Sequence, residues 1–104
     1  MRIALITPAG ARLRTGNRHT ALRWARLLRG LGHRVHLATR WRGEPADLLI
    51  ALHAWRSRDS ISLFHRRRPR QPLLVVLTGT DLYRDLAEKW QARRFLRHAD
   101  RLIV

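Results

Sequence analysis

The stretch from Ile3 to Leu37 constrains this fold most, because it reads as strand, glycine-bearing loop, amphipathic helix and second strand in succession. Ile3 to Ile6 is an apolar run without helical period, ended by Thr7, Pro8 and Gly10. A basic loop follows from Pro8 to Gly16, and a helical pattern then extends to Gly32. On that helix Ala21, Trp24, Ala25, Leu28 and Leu31 fall on one face. His19, Arg23 and Arg26 fall opposite, with Arg29 at the flank. His33-Arg34-Val35-His36-Leu37 alternates polar and apolar, as a half-buried strand does. A strand, a glycine turn and a helix N-terminus bring unpaired backbone N–H groups and a positive dipole end to one point. Such a unit suits a phosphorylated ligand.

The remainder keeps alternating. Asp47 to Leu52 is a nearly continuous apolar run, the pattern of a strand covered on both faces. Ser57 is placed to cap a helix running through Arg67, with Ile61 and Phe64 inward and Pro69 as the stop. Leu73 to Leu77 reads as another buried strand, and Thr78-Gly79-Thr80-Asp81 as a turn. A helical region follows, best defined from Lys89 to His98, with Ala92, Phe95, Leu96 and Ala99 apolar. Arg101 to Val104 begins a fifth strand. Gly43 to Ala46 is the only short connection between strands without a helix. Strands alternating with helices predict an α/β fold, a Rossmann-like parallel sheet with flanking helices. Ligands of such sheets bind at the carboxyl ends of the strands.

At 104 residues the chain is one domain at most, long enough to bury roughly two thirds of its unfolded surface. It has no cysteine, which excludes disulfides, thiolate zinc sites and a cysteine nucleophile, and suits the reducing cytoplasm expected as its location. No apolar run approaches the roughly 18 residues of a membrane span. The segment from Met1 to Ala11 mimics a signal peptide, but its apolar part is short and broken by Pro8, so it reads as a buried strand.

A formal charge of +15 invites a nucleic-acid reading. All 22 basic residues except Lys89 are arginine, however, and they are dispersed. The first helix carries them on a solvated face, and the densest run, His65 to Arg70, lies at a helix end, where cations are favoured. No clustered recognition element accompanies the charge, and the four tryptophans are scattered. Specific nucleic-acid binding is therefore not expected, while peripheral contact with an anionic membrane is compatible with the charge. A basic nucleic-acid-binding or membrane-docking module without catalysis remains the alternative reading.

The glycines do not spell G-x-G-x-x-G, and Ala38-Thr39-Arg40 stand where a dinucleotide fold would end its second strand in an acid. No G-x-x-x-x-G-K-[ST] occurs. His33, His36 and His53 lack a carboxylate cluster, so no metal ligation is expected.

The run TGNRHTALRWARLLRGLGHRV resembles the first-helix signature of GT-B glycosyltransferases, in which a glycine loop precedes a helix ending in G-H-x-V. HADRLIV resembles the same family's helix-to-strand passage. Within that family, GNRxTALRWARLL, DLLIALHAxRS and LTGTDLYRD are together similar to the selenosugar synthases of selenoneine biosynthesis. The resemblance spans essentially the whole chain and implies the N-terminal, acceptor-side half of a two-domain enzyme. It implies a UDP-sugar as co-substrate, no other cofactor, and a small anionic acceptor, selenophosphate. The second domain's donor-binding glutamates and diphosphate contacts are missing by Val104, so the chain is expected to be truncated and silent by itself.

Candidate site residues follow from both readings. Gly16, Asn17, Arg18 and Thr20 at the first helix start are assigned to the acceptor or its phosphate-like group. Gly16 can give close backbone approach, and Arg18 a bidentate fork for an oxyanion. Asn17 is equally suited to capping the helix. Thr78, Gly79 and Thr80 are assigned to the same group across the cleft, although Thr20 and Thr80 suit local backbone bonds as well. Asp81 and His53 are the catalytic candidates: Asp81 for a sugar hydroxyl or for orienting a base, with helix capping its structural alternative, and His53 at a strand end, with a purely structural role its alternative. Arg12 and Arg14 are electrostatic candidates only.

Overall fold

The computed structural model describes residues 1–8, 16–77 and 97–103, and for 16 and 17 the backbone alone. Five strands and two helices lie within them: β1 (Arg2–Ile6), α1 (Gly16–Gly30), β2 (Arg34–Ala38), β3 (Leu48–Leu52), α2 (Arg58–Arg67), β4 (Leu73–Val76) and β5 (Arg101–Ile103). The strands form one sheet in the order β2-β1-β3-β4-β5, with every neighbouring pair parallel. This is a Rossmann-like α/β fold, as the alternation of elements predicts. The register runs Ile3 beside Val35 on one side of β1 and beside Leu48 on the other.

Period-two alternation divides the core between the two faces. On one face Ile3 and Leu5 of β1 meet Ala21 and Ala25 of α1, together with Ile50, Leu52 and Val76, while Trp24 and Leu28 pack at the margin. The two alanines let the helix approach the sheet closely. Opposite them, His19, Arg23, Arg26 and Arg29 are exposed, the solvated face that helical spacing predicts. On the other face Ala4 and Ile6 of β1, Leu49 and Ala51 of β3, and Leu73 and Val75 of β4 pack with Ile61 and Phe64 of α2.

The element boundaries follow the sequence pattern to within two residues where both are described. Two details are corrected. Leu31 is 75% exposed rather than inward, because α1 ends at Gly30 and Leu31 already lies in the turn that follows. Ser57 is the N-cap of α2 by position, yet its side chain makes no cap bond. Its hydroxyl donates instead to the Leu52 carbonyl at 2.6 Å, at the end of β3. The predicted helix from Lys89 to His98 lies largely outside the described residues.

The helix-free link from β2 to β3 is held by a buried tryptophan. Trp41 is 1% exposed and meets Phe64 of α2 edge-on, with ring centroids 5.0 Å apart. Its backbone N–H donates to Ser60 Oγ and its indole N–H to the Glu44 carbonyl, each at 3.0 Å. Gly43 turns the link with φ at +104°, where a side chain would be strained. Asp47 then closes it onto β1, accepting the Arg2 amide at 2.8 Å and pairing with the Arg2 guanidinium at 3.3 Å.

Candidate functional site

The chain passes from β1 outward to β2, then returns across β1 to β3, so strand order reverses between β1 and β3. A crevice at the carboxyl ends of strands on either side of such a reversal is the usual ligand position. Thr7 follows β1 there and His53 follows β3, and each is 1% exposed. Thr7 donates its amide to the Ala38 carbonyl at 2.9 Å, extending the β1–β2 ladder by one bond. Its hydroxyl is buried and makes no hydrogen bond among the described residues. A buried polar atom in that state costs about 1–3 kcal/mol and therefore asks for a reason. By alternation Thr7 lies on the face of Ile3 and Leu5, the face that carries α1.

His53 has φ at +69°, the one positive value among described residues other than glycine. Left-handed backbone at a buried histidine is an uncommon conformation, and such residues gather at functional sites. The geometry is over-determined here. The His53 amide donates to the Val76 carbonyl of β4 at 3.0 Å, and its own carbonyl accepts the Ser57 amide at 3.0 Å. Its ring Nδ1 accepts the Arg56 amide at 3.1 Å. A nitrogen that accepts an N–H carries no proton, so the neutral ring holds its proton on Nε2. The chain is thereby wrapped into a tight turn that leads from β3 into α2.

A polar cleft of about 340 Å³ opens beside this turn, on the α2 side of the sheet. Pro8 after β1, Thr39, Arg40 and Arg42 after β2, and Arg56, Asp59 and Ser60 around the start of α2 line it. Glu44, the carboxylate nearest by sequence to these arginines, accepts the Arg42 amide at 3.0 Å and lines an adjoining hollow together with Thr39, Arg40 and Arg42. Partial burial would raise the Glu44 pKa, but hydrogen bonds from the Arg42 and Glu44 amides, with the charges of His36 and Arg42, hold it below the ordinary carboxylate value. It stays charged at neutral pH.

Of the predicted site residues, Gly16, Asn17, Arg18 and Thr20 form the first turns of α1, with Arg18 and Thr20 half-buried. His53 stands at the end of β3, across the strand reversal from Thr7. Thr78, Gly79, Thr80 and Asp81 lie outside the described residues, as do Arg12 and Arg14. Sequence reasoning missed Thr7, Arg42, Arg56 and Ser60. The available signals were a polar residue directly after the apolar β1 run, and arginines flanking a tryptophan in the helix-free link.

No helix among the described residues is long and apolar enough to cross a membrane. No family model and no curated protein matches this chain.

Proposed function

We propose that this chain is the acceptor-side Rossmann-like domain of a GT-B glycosyltransferase, in which a sugar passes from a UDP-sugar to a small anionic acceptor such as selenophosphate. The observation that carries the reading is the buried Thr7 hydroxyl without a hydrogen bond among the described residues, at the strand reversal and on the sheet face shared with α1. A polar atom kept dry in that position is matched to a polar ligand group. In this reading the first turn of α1 offers its amides and positive dipole end to the oxyanion, and Arg18 adds a charged fork. The selenium nucleophile then attacks the anomeric carbon while UDP leaves. This domain supplies positioning and charge neutralisation, and a second domain supplies the donor site.

The test is an NMR titration of the chain with inorganic phosphate and with selenophosphate. The amides of residues 16–20 should respond. Arg18→Ala should weaken binding by about 1.5–3 kcal/mol, the range for a hydrogen bond to a charged group, while Arg67→Ala at the far end of α2 should change little. The chain with UDP-glucose and selenophosphate should release no UDP above background. Sequence-selective binding to a nucleic-acid duplex that survives physiological salt would transfer the reading to a basic binding module.

A further inference from the structure

We propose that the cleft between the β2–β3 link and the start of α2 is a second anion site, built for the dianionic phosphate of a small phosphomonoester. The site lies on the α2 face of the sheet, opposite α1, so it does not depend on the transferase reading.

Three arginines, Arg40, Arg42 and Arg56, line one concavity with a single acidic residue, Asp59. None of the three is ion-paired or hydrogen-bonded through its guanidinium among the described residues. Within the lining of the cleft the excess is two positive charges, which matches a doubly charged phosphate, with Glu44 outside it in the adjoining hollow. All three are exposed, yet they are not carried on a mobile stretch of chain. These are anchored through rigid backbone. Arg40 and Arg42 flank Trp41, whose ring is locked in the core, and the Arg56 amide is held by the His53 ring.

The floor of the cleft supplies the second line of argument. Ser60 is 4% exposed and lines the cavity. Its oxygen accepts the Trp41 amide, and no described acceptor takes its hydroxyl proton. A buried hydroxyl with its proton still to donate, in a cavity lined by three arginines, suits a phosphate oxygen better than a cation. The first turn of α2 adds to it. Ser57 directs its hydroxyl to the Leu52 carbonyl rather than capping the helix, so its side chain leaves the first-turn amides of Asp59 and Ser60 uncapped. The positive end of the helix dipole thus opens on the same cavity. At about 340 Å³ the cavity has the size of a small-ligand site, which fits a phosphate with a compact substituent.

The experiment is an amide-resolved NMR titration of the full chain at pH 8 and constant ionic strength, with inorganic phosphate, dimethyl phosphate and chloride as separate probes. Inorganic phosphate should shift the amides of Thr39–Arg42 and Arg56–Ser60 along one saturable curve, and dimethyl phosphate should act at least fivefold more weakly. Arg42→Ala and Arg56→Ala should each weaken that curve by at least fivefold, while Arg18→Ala leaves it unchanged. The spectrum of each variant reports whether its fold is kept, and Arg56→Lys, retaining charge without the fork, should lose part of the affinity. Equal response to chloride, or shifts spread over His65–Arg70, would mean general screening and overturn the site. Equal response to dimethyl phosphate would overturn the monoester assignment in favour of a diester backbone. A response confined to residues 16–20 would overturn this proposal and leave the α1 reading standing.

Discussion

Trp41 donates its backbone N–H to the buried hydroxyl of Ser60 at 3.0 Å, joining the helix-free β2–β3 link to the first turn of α2. The bond spans 19 residues of sequence and lies between two chain segments that share no secondary structure. It fixes Arg40 and Arg42 on one wall of the polar cleft while Arg56 stands on the other. The indole itself acts as the anchor, packed edge-on against Phe64 and hydrogen-bonded to the Glu44 carbonyl. Core packing and the cleft's shape are therefore one arrangement on this side of the sheet.

Ser60→Ala should separate the two contributions. It leaves the Trp41 amide buried without an acceptor, at a cost of about 1–3 kcal/mol, and should lower the urea midpoint accordingly. Trp41→Ala removes a fully buried indole and should cost about 3–5 kcal/mol, enough to unfold much of a domain this small. Near-equal midpoints for wild type and Ser60→Ala would mean that the bond adds nothing to stability.

His53 invites a ranked series. Its backbone is left-handed and its Nδ1 accepts the Arg56 amide. Asparagine tolerates left-handed backbone and offers an oxygen near the same position, so His53→Asn should be the mildest replacement. His53→Ala loses the acceptor and should cost about 1–3 kcal/mol. His53→Val adds β-branched crowding at positive φ and should be worse than alanine. Thermal unfolding of the three variants gives the order, and a valine variant as stable as asparagine would mean that the turn does not need this conformation.

The contrast between these residues and the sheet explains what a reader of the sequence can see. Ile3–Ile6, Asp47–Leu52 and Leu73–Leu77 announce buried parallel strands because burial on both faces demands consecutive apolar residues, a local pattern. The inward Ile61 and Phe64 follow from helical period alone. The cleft is different. Arg42 and Ser60 are brought together by a bond between distant segments, and nothing near either residue announces it. Ser57 misled because a serine before a helix normally caps it, whereas here the Leu52 carbonyl at the strand end competes successfully for its proton. The start of α1 was legible as a place because glycine, asparagine and a helical run are contiguous. Thr7 passed as a strand terminator, since burial of its hydroxyl appears only once the sheet and α1 are assembled.

Gly43 tests whether conformation or contact restricts a position. Its φ is +104°, and an added Cβ would lie 2.9 Å from Arg67 Nη1. The Arg67 guanidinium is the free end of an exposed side chain and can swing aside. Backbone strain cannot be relieved that way. Gly43→Ala should therefore cost about 1–2 kcal/mol, and adding Arg67→Ala should recover almost none of it. A double variant restored to wild-type stability would show that the steric contact governs.

Acid stability should fall in two separate windows. His98 stacks on His65 with centroids 4.1 Å apart, and burial followed by repulsion from His65 holds its pKa below the ordinary 6.5. The unfolded chain then binds this proton at a higher pH than the folded chain. Stability should decline as pH falls below about 6.5 and level off below the folded pKa. Asp47 behaves likewise at lower pH. The Arg2 guanidinium bond, reinforced by the Arg2 amide, holds its carboxyl below the ordinary 3.8. Its contribution is complete above 3.8 and is lost as pH falls through the folded pKa. Asp47 is solvent-exposed, so the second window should be shallow and weaken with salt. Urea midpoints measured across acid pH should show His98→Gln flattening the upper window and Asp47→Asn the lower one. An upper slope unchanged in His98→Gln would remove the stacked histidine pair as its cause.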